Sequence, residues 1–107
     1  MPEIIRNITS QNKYSSKFDE KIYTEFKKIA RKNERSVNWF LNIKLKELKG
    51  NITLKNYEEN EDYKVKKIHL KKELHQVVKR ESYLNGITMR DYLQSFMEQV
   101  INLEIQK

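Results

Sequence analysis

Apolar residues in this chain recur at helical spacing in four stretches, and the four form two pairs in one register. In the first stretch Ile22, Phe26, Ile29 and Ala30 fall at i, i+4, i+7 and i+8, one face of a helix from Glu20 to about Lys32. Asp19 stands before it as N-cap, and Glu20 adds a favourable first-turn charge. Asn33-Glu34-Arg35 break the stripe. Ser36 then caps a second helix that carries Val37, Leu41, Leu45 and Leu48 inward and runs to about Lys49, with Gly50 as its stop. Adding 52 to Phe18, Ile22, Phe26, Ser36, Leu41 and Leu45 lands on Leu70, Leu74, Val78, Thr88, Leu93 and Met97. The pattern predicts a third helix from Lys72 to about Leu84 on Leu74, Val77 and Val78, and a turn at Asn85-Gly86. Thr88-Met89-Arg90-Asp91 is a capping-box-like start, with Asp in place of the usual Glu or Gln. The fourth helix carries Met89, Leu93, Phe96, Met97, Val100 and Ile101.

Each helix pair is preceded by a short alternating stretch. In residues 13–18, Lys13, Ser15 and Lys17 share one face and Tyr14, Ser16 and Phe18 the other, the period of a strand. The repeat sets the register of 64–70, where Val65, Lys67 and His69 match Lys13, Ser15 and Lys17. A strand with two helices cannot bury its own apolar face, so the copies are expected to share one core. The expected fold is mostly α, with a short antiparallel two-stranded β-ribbon, the two repeats forming a single-chain pseudo-dimer. Tethering raises the effective concentration of one half for the other, which favours pairing within the chain. Residues 1–12 read as a flexible arm, 13–49 as the first repeat, 50–63 as an acidic connector and 64–103 as the second repeat. The connector could stretch about 45 Å, enough to cross a small domain.

Charge sharpens this picture. The 107 residues carry a net charge of +7 and no cysteine, which excludes disulfides and Cys-based metal sites. Lys and Arg exceed Asp and Glu in both repeats, whereas the connector holds Glu58, Glu59, Glu61 and Asp62 against Lys55. Two basic units separated by an acidic segment point to a polyanionic partner, with a merely solvated surface as the plain alternative. A two-stranded ribbon fits the major groove of B-DNA, where the edge pattern distinguishes all four base pairs. Outward Lys13, Ser15, Lys17, Val65, Lys67 and His69 are the candidate base contacts. Lysine can donate to guanine, serine can donate or accept, and valine can meet a thymine methyl. Because the two strands differ, the site read should not be a perfect palindrome. Each second helix would aim its amide-rich, dipole-positive start at flanking phosphates. Ser36, Val37 and Asn38 stand there in one half, and Thr88, Met89 and Arg90 in the other. Lys28, in the basic face Lys21, Lys27, Lys28, Arg31 and Lys32 of the first helix, is a further candidate phosphate contact.

These residues resemble a known family. Ser15 to Asn42 is similar to the Arc/MetJ-type ribbon-helix-helix repressors without a gap, most specifically at Asn33 and Arg35-Ser36-Val37-Asn38. Lys66 to Ile101, especially Leu70, Leu74, Lys79 and Gly86-Ile87-Thr88-Met89, resembles the same fold in more generic form. The doubled chain also resembles the TraY-like double repeats of plasmid conjugation. The resemblance implies base contacts from the strands and phosphate contacts from Ser36, Val37, Thr88 and Met89. It also implies two departures. Where Arc-type chains place a Glu in a buried charged cluster with the equivalent of Arg35, this chain has Phe40, and Tyr92 in the second copy, so apolar packing should replace the cluster. Ser16 and Lys66 stand where inward apolar residues are usual, which weakens the core face of the ribbon.

The function expected is sequence-specific double-stranded DNA binding, as a transcriptional repressor. The alternatives are an accessory factor in plasmid conjugation or partition, and an antitoxin, although the fourth helix leaves few residues for a toxin-wrapping tail. Pseudo-dimers could also associate on adjacent sites. A membrane-surface role would need apolar faces that the core already takes. No nucleophile–base pair, Gly-rich loop or paired carboxylates suggest an enzyme. No cofactor or metal is expected, His69 and His75 being off metal-ligand spacing. Without a signal peptide or an apolar span, a cytoplasmic, nucleoid- or plasmid-associated location is expected.

Overall fold

The computed structural model describes residues 11–48 and 52–105. Strand β1 (Gln11–Asp19) leads into helices α1 (Glu20–Lys32) and α2 (Val37–Glu47). Strand β2 (Tyr63–Lys71) leads into α3 (Lys72–Leu84) and α4 (Met89–Ile105). This β-α-α-β-α-α order is the arrangement expected of a tandem ribbon-helix-helix chain. The strands pair antiparallel within the chain, Lys13 opposite His69, Ser15 opposite Lys67 and Lys17 opposite Val65. Ser15 therefore faces its own repeat equivalent, so a local two-fold axis passes between Ser15 and Lys67.

Both strands are longer than their alternation suggests. β1 starts at Gln11, inside the expected arm; the rest of that arm lies outside the described residues, as does the expected stop at Gly50. α2 ends at Glu47 with Leu48 as its C-cap, and α4 extends to Ile105.

The core lies between the inner ribbon face and the four helices. Phe18, Ile68 and Leu70 descend from the ribbon onto Phe26, Leu41, Leu93, Phe96 and Met97, all buried. Each such side chain contributes about 1.5–3 kcal/mol by leaving water. Phe40 and Tyr92 are both buried, as expected of apolar packing, and Phe40 meets Phe26 at 5.5 Å between ring centroids. The polar intrusions on the inner face are accommodated locally. Lys66, opposite Ser16, pairs with Glu20 at 3.0 Å and lies 4.9 Å from the ring centre of Tyr23.

The repeat also appears in polar detail. Asn33 and Asn85 cap α1 and α3, each donating from Nδ2 to the carbonyl four residues back, at 2.8 Å in both. The next residues, Glu34 and Gly86, both adopt positive φ, 58° and 67°. The amides of Arg35 and Ile87 then close matching turns onto the carbonyls of Ala30 and Ser82. Reciprocal bonds cross between the halves. The Asp19 amide donates to Oε1 of buried Gln94 at 2.6 Å, and the equivalent Lys71 amide donates to Oδ1 of buried Asn42 at 2.8 Å. Each second helix thus holds the strand end of the opposite half.

Candidate nucleic-acid interface

The outward ribbon face carries three cross-strand pairs: Lys13 with His69, Ser15 with Lys67, and Lys17 with Val65. Lys13, Ser15, Lys17, Val65 and Lys67 are exposed, and His69 is half-buried. Val65 is an apolar side chain 60% exposed on this outward face. These six stand together because strand alternation puts every second residue on one side and the pairing register aligns them. No carboxylate occurs among them.

The two second-helix starts flank this face and are built differently. At α2, Ser36 Oγ accepts from the Trp39 amide at 3.1 Å. Among the described hydrogen bonds none uses the amides of Val37 and Asn38, which leaves the dipole-positive end of α2 accessible. The Asn38 side chain is committed elsewhere: its Oδ1 accepts from the His69 amide at 3.0 Å. With Asn42, which donates to the His69 carbonyl at 2.8 Å, it closes the free edge of β2. Ser36, Asn38, Trp39, Asn42, Ile43 and Lys71 surround an open hollow of about 280 Å³. Trp39 is 48% exposed and carries the Arg35 guanidinium at 4.4 Å above its ring. Arg35 itself is exposed.

At α4, Thr88 Oγ1 accepts from the Asp91 amide at 3.0 Å. The expected capping box is only half made, because the Asp91 carboxylate does not return to Thr88. It is buried, accepting from the Tyr57 amide at 3.2 Å and from Arg90 Nε at 3.1 Å. The connector is responsible. Its Lys55 amide donates to Ser95 Oγ at 2.9 Å, the Tyr57 phenol donates to Glu98, and Ile52 and Leu54 pack against the core. Burial, followed by the Glu98 carboxylate, pushes the Tyr57 phenol well above its ordinary value of 10.0, so it remains a donor. Held this way, the connector brings Glu59 to Arg90 Nη1 at 2.8 Å and to Lys17 Nζ at 3.8 Å. Arg90, 15% exposed, also donates to the Tyr57 carbonyl and lies over the Tyr63 ring.

The sequence-derived site residues are therefore placed unequally. The six ribbon residues gather on one face, and Ser36, Val37 and Asn38 gather at an open helix end. Thr88 is exposed, Met89 is half-buried against the core, and Arg90 is half-buried beside the connector. Lys28 is not joined to them. It pairs with Glu25 on α1 at 3.5 Å, in a hollow shared with Lys27, Arg31 and Lys66, whose strand position is on the inner ribbon face. Sequence reasoning missed Asn42, Gln94 and Glu59. Asn42 and Gln94 are carboxamides 52 residues apart inside apolar helix faces, a signal that the repeat alignment carries; Glu59 had no such mark.

Among the described residues no group of His, Cys, Asp or Glu could hold a metal ion, and no helix is long and apolar enough to cross a membrane. The chain matches no family model, no curated protein and no solved structure.

Proposed function

We propose that this chain binds double-stranded DNA sequence-specifically through its β-ribbon in the major groove, as a ribbon-helix-helix transcriptional repressor. The observation that carries the reading is the outer ribbon face, six side chains in three aligned pairs, three of them lysines, beside an accessible helix start. Two strands about 4.8 Å apart with their side chains match a groove about 12 Å wide. Lys13, Ser15, Lys17, Val65, Lys67 and His69 supply donors, acceptors and one apolar contact for base edges. The amides of Val37 and Asn38, with Ser36, are suited to a phosphate on one flank, and Thr88, Met89 and Arg90 mark the corresponding place on the other. Because the two strands differ within one chain, the reading also suits a single asymmetric site, as an accessory factor in plasmid conjugation or partition would need. The genomic position of the bound sequence separates these roles.

Selection of bound sites from random duplexes tests the proposal. On the selected site Lys17→Ala or Lys67→Ala should cost about 1–3 kcal/mol and relax preference at one or two base positions. Equal losses on selected and random DNA would refute base reading by the ribbon.

A further inference from the structure

The local two-fold axis relates Asn38 to Arg90 and His69 to Lys17, so the same corner of the fold occurs twice. In the first corner, Asn38 binds the His69 amide directly and the hollow beside it contains no carboxylate. In the second, Glu59 stands between Arg90 and Lys17 and pairs with each, while Asp91 pairs with Arg90 as well. The arrangement rests on anchors along α4. Ser95, Asp91 and Glu98 hold Lys55 and Tyr57, and the Asn60 side chain and carbonyl receive the amides of Asp62 and Tyr63. The other end is fixed by the Glu20 amide, which donates to the Asp62 carbonyl at 3.1 Å. A negative group is thus held between an outward lysine of the ribbon and a cation at a helix start.

We infer that Glu59 is a resident stand-in for a DNA phosphate and acts as a specificity-determining residue of the DNA site. This rests on the DNA-binding reading above. A backbone phosphate on that flank must displace the Glu59 carboxylate from Arg90, which also releases Lys17 to the bases, whereas the α2 flank accepts phosphate without exchange. Non-specific binding draws on phosphate contacts alone, so the exchange lowers it most. A selected site adds base contacts from the ribbon and carries the exchange through. The consequence is a DNA site with one open clamp and one guarded clamp.

The test compares full-length wild type, Glu59→Gln and Glu58→Gln on the selected duplex and on random-sequence duplexes across a salt series. Glu58 is exposed, and its substitution makes the same change in net charge. Glu59→Gln should tighten random-duplex binding about five- to tenfold near 0.1 M salt and steepen the salt slope by about 0.9, the equivalent of one phosphate. Glu58→Gln should do less than half as much, and selectivity should fall only with Glu59→Gln. On the selected duplex, phosphate-ethylation interference should be weaker on the α4 flank than on the α2 flank for wild type, because the exchange offsets part of that contact, and become even for Glu59→Gln. Equal effects of the two variants on a wild type that binds DNA would overturn this inference and leave the DNA reading standing. A wild type that binds no duplex, selected or random, would fail the reading beneath it.

Discussion

The ends of α2 and α4 began from one sequence pattern and serve different neighbours. Both start with a hydroxyl cap, Ser36 or Thr88, and both bury a carboxamide that grips the opposite strand end. At α2 the first-turn surface is open, with Trp39 and Arg35 beside it. At α4 the connector has taken the first turn, bound Asp91 and Arg90, and delivered a carboxylate to the ribbon. Features needed to hold the halves together remain symmetric, whereas those facing outward have diverged. The scaffold is thus separable from the surface, and substitutions can address each alone.

The scaffold should respond most strongly. Gln94→Ala and Asn42→Ala each open a cavity and leave the amide of Asp19 or Lys71 without its partner, costing about 2–4 kcal/mol in chemical denaturation. Similar losses support equivalent roles, and a loss below about 1 kcal/mol in either would break the symmetry argued here. Arg90→Ala should cost about 2 kcal/mol, because the buried Asp91 carboxylate loses its ion pair. Its counterpart Asn38→Ala frees only the His69 amide and should cost about 1 kcal/mol. A smaller and opposite pair lies in the turns. Glu34→Gly relieves a left-handed residue and should stabilise by about 1 kcal/mol, whereas Gly86→Ala should destabilise by about the same amount. Nothing within 4 Å would meet the added methyl at Gly86, so that cost is conformational.

The smallest effect concerns the connector at alkaline pH. Burial raises the phenol of Tyr57 in the folded chain above 10.0, so its share of stability is complete below that value and lost as pH rises beyond it. Tyr57→Phe should cost about 1 kcal/mol near neutral pH and remove this part of the alkaline loss. Denaturation midpoints between neutral pH and pH about 11 check both halves of the statement.

Much of the scaffold could be read from residue order alone. The 52-residue register located the helix faces, the Asp19, Ser36 and Thr88 caps, and the outward set on the ribbon, because each depends on local periodicity or local hydrogen bonding. The apolar packing of Phe40 and Tyr92 was equally visible. The course of the connector was not. Its residues have no period, and Glu59 reaches Lys17 only because Tyr57 and Lys55 are anchored to side chains of a helix more than thirty positions later. Asn38 illustrates the same limit. Its place at a helix start was legible, but the diversion of its side chain to the edge of β2 needed the strand to be in place.

The central claim is that the ribbon enters the major groove, and groove-specific base analogues test it most directly. At a contacted guanine of the selected site, 7-deazaguanine removes a major-groove acceptor, while inosine removes only the minor-groove amino group. Binding should be roughly tenfold weaker with 7-deazaguanine and little changed with inosine. Weaker binding with inosine and unchanged binding with 7-deazaguanine would put the protein in the other groove and contradict it.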